Sequence, residues 1–456
     1  MILLEVPVKL YLDKILKICR NNVHRLALLP GPVKDAALRA MADRLAKDEE
    51  AILAANEKDV DALAKSFGAE LNKDRLKAAV ARVRMVADDV KEMADRLRLI
   101  ADRPDPIGAV AGRSERPDGL LVSRVRVPIG VIGVISELKP LVTVEAIGLC
   151  LKSGNVSVFR GSPDWAQTHD IIGTGLREAA HQQGIPDGAW ALIDRPEKDV
   201  ALELIRAGKA LDAIIARGGV GLRKAVLEGA RVPVLCHDGG LTHLYVDADV
   251  DLPLVQNVVI NSKVQLPGAT NALDTLLVQQ GIARQFLPAL INRLLVEFKV
   301  DVRGCPKTLA LMGQMPISGH TSIVPATDED WNKQFQAPSL SVKMVVDMQE
   351  ALTHIAEHGP CMTAVIATSN YASALRFTRE VDASAVFVNA SSRLHDAEGF
   401  GLGSDIGLSS GRLHAKGPIG LEQLTCEKYV AFGNGQLRLP HPVPETYFDA
   451  IMLKRP

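Results

Sequence analysis

The sequence predicts an α/β protein built on parallel sheets with crossover helices, and three observations carry that expectation. Apolar residues recur three and four apart over the first hundred residues. The texture changes at about residue 107, after which short β-branched runs alternate with helical stretches in two successive blocks. Arg-Gly pairs follow two of those runs, where a parallel strand would turn into a helix.

Composition limits the function classes. At 456 residues the chain is too long for one ordinary core and suggests two or three lobes, which 47% apolar content can fill. With 53 basic and 54 acidic residues the net charge is −1, which leaves no electrostatic footprint for nucleic acid, so a small molecule is the expected partner. Cys19, Cys150, Cys236, Cys305, Cys361 and Cys426 form no C-x-x-C pair, which argues against a zinc cage or a disulfide framework and fits a reduced, cytoplasmic setting. The N-terminal "MILLEVPVKLYLDKILK" mixes charges with apolar residues, unlike a signal peptide. No run reaches the roughly 18 apolar residues that cross a bilayer, so no membrane partner is expected.

The elements follow in order. "DAALRAMADRLAKDEEAILAANEKDVDALAKS" and "LNKDRLKAAVARVRMVADDVKEMADRLRLIADRPDP" read as long amphipathic helices, the second stopped by proline. "DGLLVSRVRVPIGVIGVIS" alternates and then becomes a β-branched run, an exposed arm leading to a buried strand. "LVTVEAIGLCLKSG" is a helix ending at a glycine cap, and "NVSVFRGS" is a second buried strand. "AWALIDR", "DVALELIRAGKA", "LDAIIARGG" and "LRKAVLEGARV" repeat the alternation. A second α/β section runs from "DLPLVQNVVINSKVQ" to "FTREVDASAVFVNA", and the glycines of "GFGLGSDIGLSSGRLHAKGPIGLEQL" mark backbone close to a ligand or a neighbouring lobe. Arg160, Gly161 and Ser162 at one strand end, and Arg217, Gly218, Gly219 and Gly221 at another, suit a phosphate cradle or a tight turn; neither is G-x-G-x-x-G.

Taken together, "VPIGVIGVI", "LCLKSGN", "FRGS", "IIARGGVGL", "HLYVD", "VINSKVQLP", "VFVNASSR", "GFGLGSDIG" and "LHAKGPIGLEQLT" resemble the γ-glutamyl phosphate reductase (glutamate-5-semialdehyde dehydrogenase) family in collinear order. The resemblance implies an aldehyde-dehydrogenase-like fold with a Rossmann-type cofactor domain (1–255 plus 390–430), an α/β catalytic domain (256–389) and a small β oligomerisation arm (114–127 plus 431–456). It also implies NADPH-dependent reduction of L-glutamyl 5-phosphate to L-glutamate 5-semialdehyde in proline biosynthesis, in a homodimer or higher homo-oligomer. In the family a cysteine thiolate attacks the acyl phosphate, phosphate leaves, and hydride from the nicotinamide reduces the thioester.

The family's "INAKTQRPSVCNAAETLL" aligns without a gap on "INSKVQLPGATNALDTLL", so the nucleophile position falls on Thr270, followed by Asn271, and the arginine before the proline becomes Leu266. Cys236 stands where the family has a glutamate and is a candidate rescue thiol, or else a small buried apolar residue. Glu137, Lys139, His243 and Arg393 are the substrate-binding candidates, with Lys139 replacing an arginine. For the cofactor, Arg160, Gly161 and Ser162 are expected at the adenosine end, Gly218 and Gly219 at the pyrophosphate, and Phe400 near the nicotinamide; Arg160 with no acid after "VF" favours NADP(H).

Three functions stay open at this point. The chain carries out the family reaction with another thiol; or it is an inactive homologue serving as binding or regulatory partner of the glutamate kinase or an active reductase; or it is an altered reductase for a less polar acyl or aldehyde ligand, shaped by Leu138, Leu141, Leu241, Leu266 and Met362.

Overall fold

The computed structural model describes residues 7–66, 73–195, 197–236, 239–313 and 323–438. Five helices come first: α1 (Val8–Ala27), α2 (Gly31–Lys47), α3 (Glu49–Ser66), α4 (Lys73–Val83) and α5 (Ala87–Ala101). Helix α5 shows why they form. Val90, Met93, Leu97 and Ile100 recur three and four apart and are all buried, with charged residues between them. Its first turn is closed by Asp89, whose carboxylate accepts from the Val86 N–H at 2.8 Å.

Strands β1 (Val110–Glu115) and β2 (Leu121–Pro128) form an antiparallel arm that is largely exposed. A five-stranded parallel sheet follows, made of β3 (Val131–Ser136), β4 (Val156–Arg160), β5 (Trp190–Leu192), β6 (Ala213–Arg217) and β7 (Val234–Cys236). Its strand order is β5-β4-β3-β6-β7, so β3 is central and all six of its residues are buried. The crossover helices are α6 (Pro140–Lys152), α7 (Ala166–Gln182), α8 (Lys198–Ile205) and α9 (Val220–Gly229). Helix α6 is apolar around most of its circumference because it is sandwiched between the sheet and the layer of α2 and α5.

A second parallel sheet of seven strands contains β8 (Leu241–Val246), β9 (Thr275–Gln279), β10 (Asp301–Gly304), β11 (Val324–Pro325), β12 (Ser339–Val345), β13 (Cys361–Ala367) and β14 (Ala383–Val388). The order is β11-β10-β12-β9-β8-β13-β14. Helices α10 (Leu252–Val264), α11 (Gln280–Asn292), α12 (Pro306–Met312), α13 (Met348–Glu357) and α14 (Tyr371–Glu380) connect these strands, with a π-helical turn continuing α11 over Arg293–Glu297. The sheets divide the chain near residue 240 rather than at 255. Leu241–Val246 pairs with β9 and β13, and a buried strand such as "HLYVD" carries no local mark of which sheet it joins.

The tail returns to the first lobe. Arg96 bonds Glu398 at 2.8 Å, Arg103 donates to the Gly401 carbonyl at 2.8 Å, and the Ser404 hydroxyl meets the Glu145 carboxylate. Gly407 has φ +151°, and a Cβ there would lie 2.0 Å from Arg217 Nη1, so the tail glycine does mark a close approach to the neighbouring lobe. Beyond β15 (Leu408–Ser409) and β16 (Gly417–Pro418), strand β17 (Thr425–Phe432) pairs with β2 over its full length and completes the arm. The arm's C-terminal portion is therefore 425–432, and 439–456 lie outside the described residues.

Candidate active site

The carboxyl edge of the first sheet gathers the expected cofactor residues. Gly161 and Ser162 follow β4 and line a cleft of about 310 Å³ with Thr174, Arg177, Asp194 and Arg195. A side chain at Gly161 would meet the His169 ring at 2.5 Å, so the close packing there requires glycine. Arg160 turns its Nη1 onto the Gly161 carbonyl at 2.7 Å. Gly218 and Gly219 follow β6, where α9 begins.

At that helix N-terminus the Gly219 N–H donates to the Glu137 carboxylate at 3.3 Å, and a Cβ on Gly218 would lie 2.6 Å from the same oxygen. The start of α9 thus holds an anionic oxygen supplied by the chain's own Glu137. Arg177 and Arg195 had no motif around them in the sequence; only the cleft brings them beside Ser162.

The second station is the loop after α10. Its turn closes through Ala272 N–H to Ala269 O at 3.1 Å and Leu273 N–H to Ser262 O at 2.9 Å, which brings the chain back against the helix it left. Thr270 is half-buried on this turn. Gln334 donates its amide to the Thr270 carbonyl at 3.0 Å and to the Gly240 carbonyl at 3.2 Å, tying the loop to the start of β8. The Thr270 hydroxyl has no hydrogen-bond partner among the described residues. Asn271 is buried, donates to the His395 carbonyl at 3.0 Å and accepts on its backbone oxygen from Ser392 at 2.7 Å. Segment 391–405 thus holds the Thr270 loop at one end and the first lobe at the other. Phe400 stacks on Phe387 with ring centroids 5.6 Å apart.

The remaining expected residues are more scattered. Lys139 is engaged with Asp89 of α5 at 3.0 Å, and Arg393 donates to Gln265 at 2.8 Å, beside the loop. His243 is fully buried; its Nδ1 lies 3.6 Å from Cys361 Sγ, its ring meets His354 of α13, and burial pushes its pKa down to about 3. Those contacts place it in the packing between β8 and α13. Cys236 closes β7 in register with Ala216, and its side chain lies outside the described residues. Of the apolar replacements, Leu241 and Met362 are buried in the sheet and Leu141 packs on the first core, while Leu266 is exposed.

Two groups at this station were not singled out from sequence. Lys263, in the last turn of α10, is fully buried; its Nζ has no hydrogen-bond partner and lies 5.8 Å from the Phe335 ring centroid. Burial pushes its pKa down to about 8, opposed by the Asp274 charge. Burial likewise pushes Asp274 up to about 7, although its carboxylate accepts from the Thr242 and Phe335 N–H groups, each at 3.1 Å. A signal was available: a lysine in the apolar "VVINSKV" has no acid three or four residues away to pair with.

Two parallel sheets with crossover helices, and glycines at the strand ends of the first, are the architecture of the aldehyde dehydrogenases. The model of the aldehyde dehydrogenase family matches residues 11–302. Within it, the chain is 42% identical over 422 residues to the gamma-glutamyl phosphate reductase of Heliobacterium modesticaldum, covering 92% of this chain and 97% of that one. The gamma-glutamyl phosphate reductase of Magnetococcus marinus is 39% identical over 427 residues, 94% of this chain and 98% of that one. The crystal structure of gamma-glutamyl phosphate reductase from Thermotoga maritima superposes with a TM-score of 0.86 at 36% identity, covering 94% and 99% of the two chains. The chain belongs to the gamma-glutamyl phosphate reductase family. Among the described residues no helix is long and apolar enough to cross a membrane, and no group of His, Cys, Asp and Glu is arranged to hold a metal ion.

Proposed function

We propose that this chain keeps the scaffold on which its family holds NADP(H) and a small acyl or aldehyde ligand but does not carry out thiol-dependent hydride transfer, and that it acts as a binding or regulatory partner. The observation that carries the reading is Thr270. Its hydroxyl occupies the nucleophile turn and makes no hydrogen bond among the described residues. An alcohol is far weaker than a thiolate as a nucleophile near neutral pH, and the oxygen ester it forms accepts hydride far less readily than a thioester.

When bound, NADP(H) would supply the hydride; Ser162, Arg177 and Arg195 around the cleft, and Gly219 at the start of α9, are the groups that would hold it. Asn271 and Gln334 fix the turn on which a carbonyl ligand would be presented. The exposed arm, with Tyr429 and Phe432 on its surface, supports self-association or pairing with a catalytically competent relative, since a three-stranded sheet this exposed has little core of its own. A more apolar substrate pocket receives less support, because Leu241 and Met362 are spent on internal packing.

The test is a fluorescence titration with NADPH, followed by turnover in the reverse direction with semialdehyde, phosphate and NADP⁺. Binding without turnover is expected. Turnover that survives Thr270→Ala but is lost in Cys236→Ala would replace this reading with a relocated thiol, and absence of NADPH binding would remove the cofactor assignment.

A further inference from the structure

We propose that Lys263 is a reactive amine that captures small aldehydes as an imine beneath the Thr270 loop. Among the described residues three lysines are completely shielded from solvent: Lys34, Lys152 and Lys263. Lys34 pairs with Asp105 at 2.5 Å and donates to the Lys152 carbonyl at 3.0 Å. Lys152 pairs with Asp35 and donates to the Ala101 carbonyl at 3.0 Å. These two are structural, because each buried ammonium has both a counter-charge and a hydrogen-bond acceptor.

Lys263 has neither. Its Nζ bonds no described atom, and the Asp274 carboxylate that acts on it electrostatically is already taken up by two backbone N–H groups. The other charged group close by is Arg303 of β10, whose guanidinium lies 5.7 Å from the same Phe335 ring and is paired with Asp330 at 3.0 Å. An ammonium in such surroundings is costly, and the side chain meets that cost by giving up its proton, which burial favours down to about pH 8. A desolvated neutral amine is the state in which lysine attacks carbonyl carbon.

Position gives the amine something to attack. Lys263 sits in the last turn of the helix that leads directly into the Thr270 loop. Phe335, over which it lies, is the neighbour of Gln334, which holds the Thr270 carbonyl. The chemistry needs no oxidant or reductant. The Nζ lone pair adds to the aldehyde carbon to give a carbinolamine; the C–O bond then breaks, both amine protons leave with that oxygen as water, and a C=N bond remains. The ligand class is a small aldehyde, and the inference does not depend on nucleotide binding.

Borohydride trapping tests it. The full-length chain is incubated with propanal at pH 7.5, reduced, digested and mapped by mass spectrometry, with the exposed Lys224 as internal reference. Lys263 is expected to acquire its propyl group at least about tenfold faster than Lys224, because an ordinary lysine, with a pKa of about 10.4, is almost wholly protonated at that pH. Lys263→Arg should abolish the fast phase and leave Lys224 labelling unchanged. Labelling of Lys224 with Lys263 unmodified, or equal rates at the two, would overturn the proposal.

Discussion

Replacing Lys263 by methionine is expected to stabilise the protein at neutral pH, and the gain should disappear in alkali. Methionine is unbranched and flexible enough to fill the same space without a charge. In the folded chain Lys263 has its pKa lowered from 10.5 to about 8 by burial, a difference of about 2.5 units. At 1.36 kcal/mol per unit this costs the folded state about 3 kcal/mol below pH 8. The sign follows from proton counting. Between pH 8 and about 10.5 the unfolded chain still holds the Lys263 proton while the folded chain has released it, so stability rises with pH through that window. Burial also raises the thiols of Cys19, Cys150 and Cys361, which oppose this slope equally in both proteins, and Asp274 is held down by the Lys263 charge, so the Lys263 contribution is read from the difference between variant and parent. Exposed lysines titrate alike in both variants and cancel in the difference. Urea melts at pH 7, 9 and 10.5 provide the assay. The variant should unfold later at pH 7, by roughly 1 M for a slope of about 3 kcal/mol per molar, and at the same midpoint as the parent at pH 10.5. A variant that is less stable at pH 7, or parallel pH profiles for the two proteins, would show that Lys263 keeps its proton through a partner and would refute the reasoning.

Thr270→Cys should confer reverse-direction turnover with semialdehyde, phosphate and NADP⁺ on the order of a hundredfold or more above the parent, because it restores a thiolate to a turn already held by Gln334 and Asn271. If NADP⁺ binds the variant and turnover stays at the parent level, the loss lies in the surrounding exchanges, of which Leu266 and Lys139 are exposed. Asp59→Ala should cost about 3 kcal/mol or more in a thermal or urea melt, since the buried Asp59 carboxylate accepts from the Gln167 and Thr168 N–H groups and the Thr168 hydroxyl at 2.7–3.0 Å, at the start of α7. Asp59→Asn should recover part of that loss by retaining one acceptor oxygen.

By itself the sequence determined the succession of elements, because helix and strand periodicities are properties of neighbouring residues. The stripe of α5 and the buried run of β3 are examples, and so is the ordered set of motifs that placed a hydroxyl at position 270. It also placed Gly161, Ser162, Gly218 and Gly219 at strand ends of the first sheet. Partners were left to the tertiary structure. Lys139 reads as an anion holder until α5 brings Asp89 against it, and His243 reads as a site residue until α13 covers it. Glu137 lies 82 residues from the Gly219 N–H it accepts, and Gln334 is 64 residues beyond the Thr270 carbonyl it holds. Lys263 is the sharpest case. The chain around it shows only a lysine in an apolar helix, whereas the fold buries it, directs Asp274 to two backbone amides, and leaves the amine without a partner. Burial and pairing depend on which distant segments meet, and that information resides in the packing of the two sheets rather than in any local stretch of sequence.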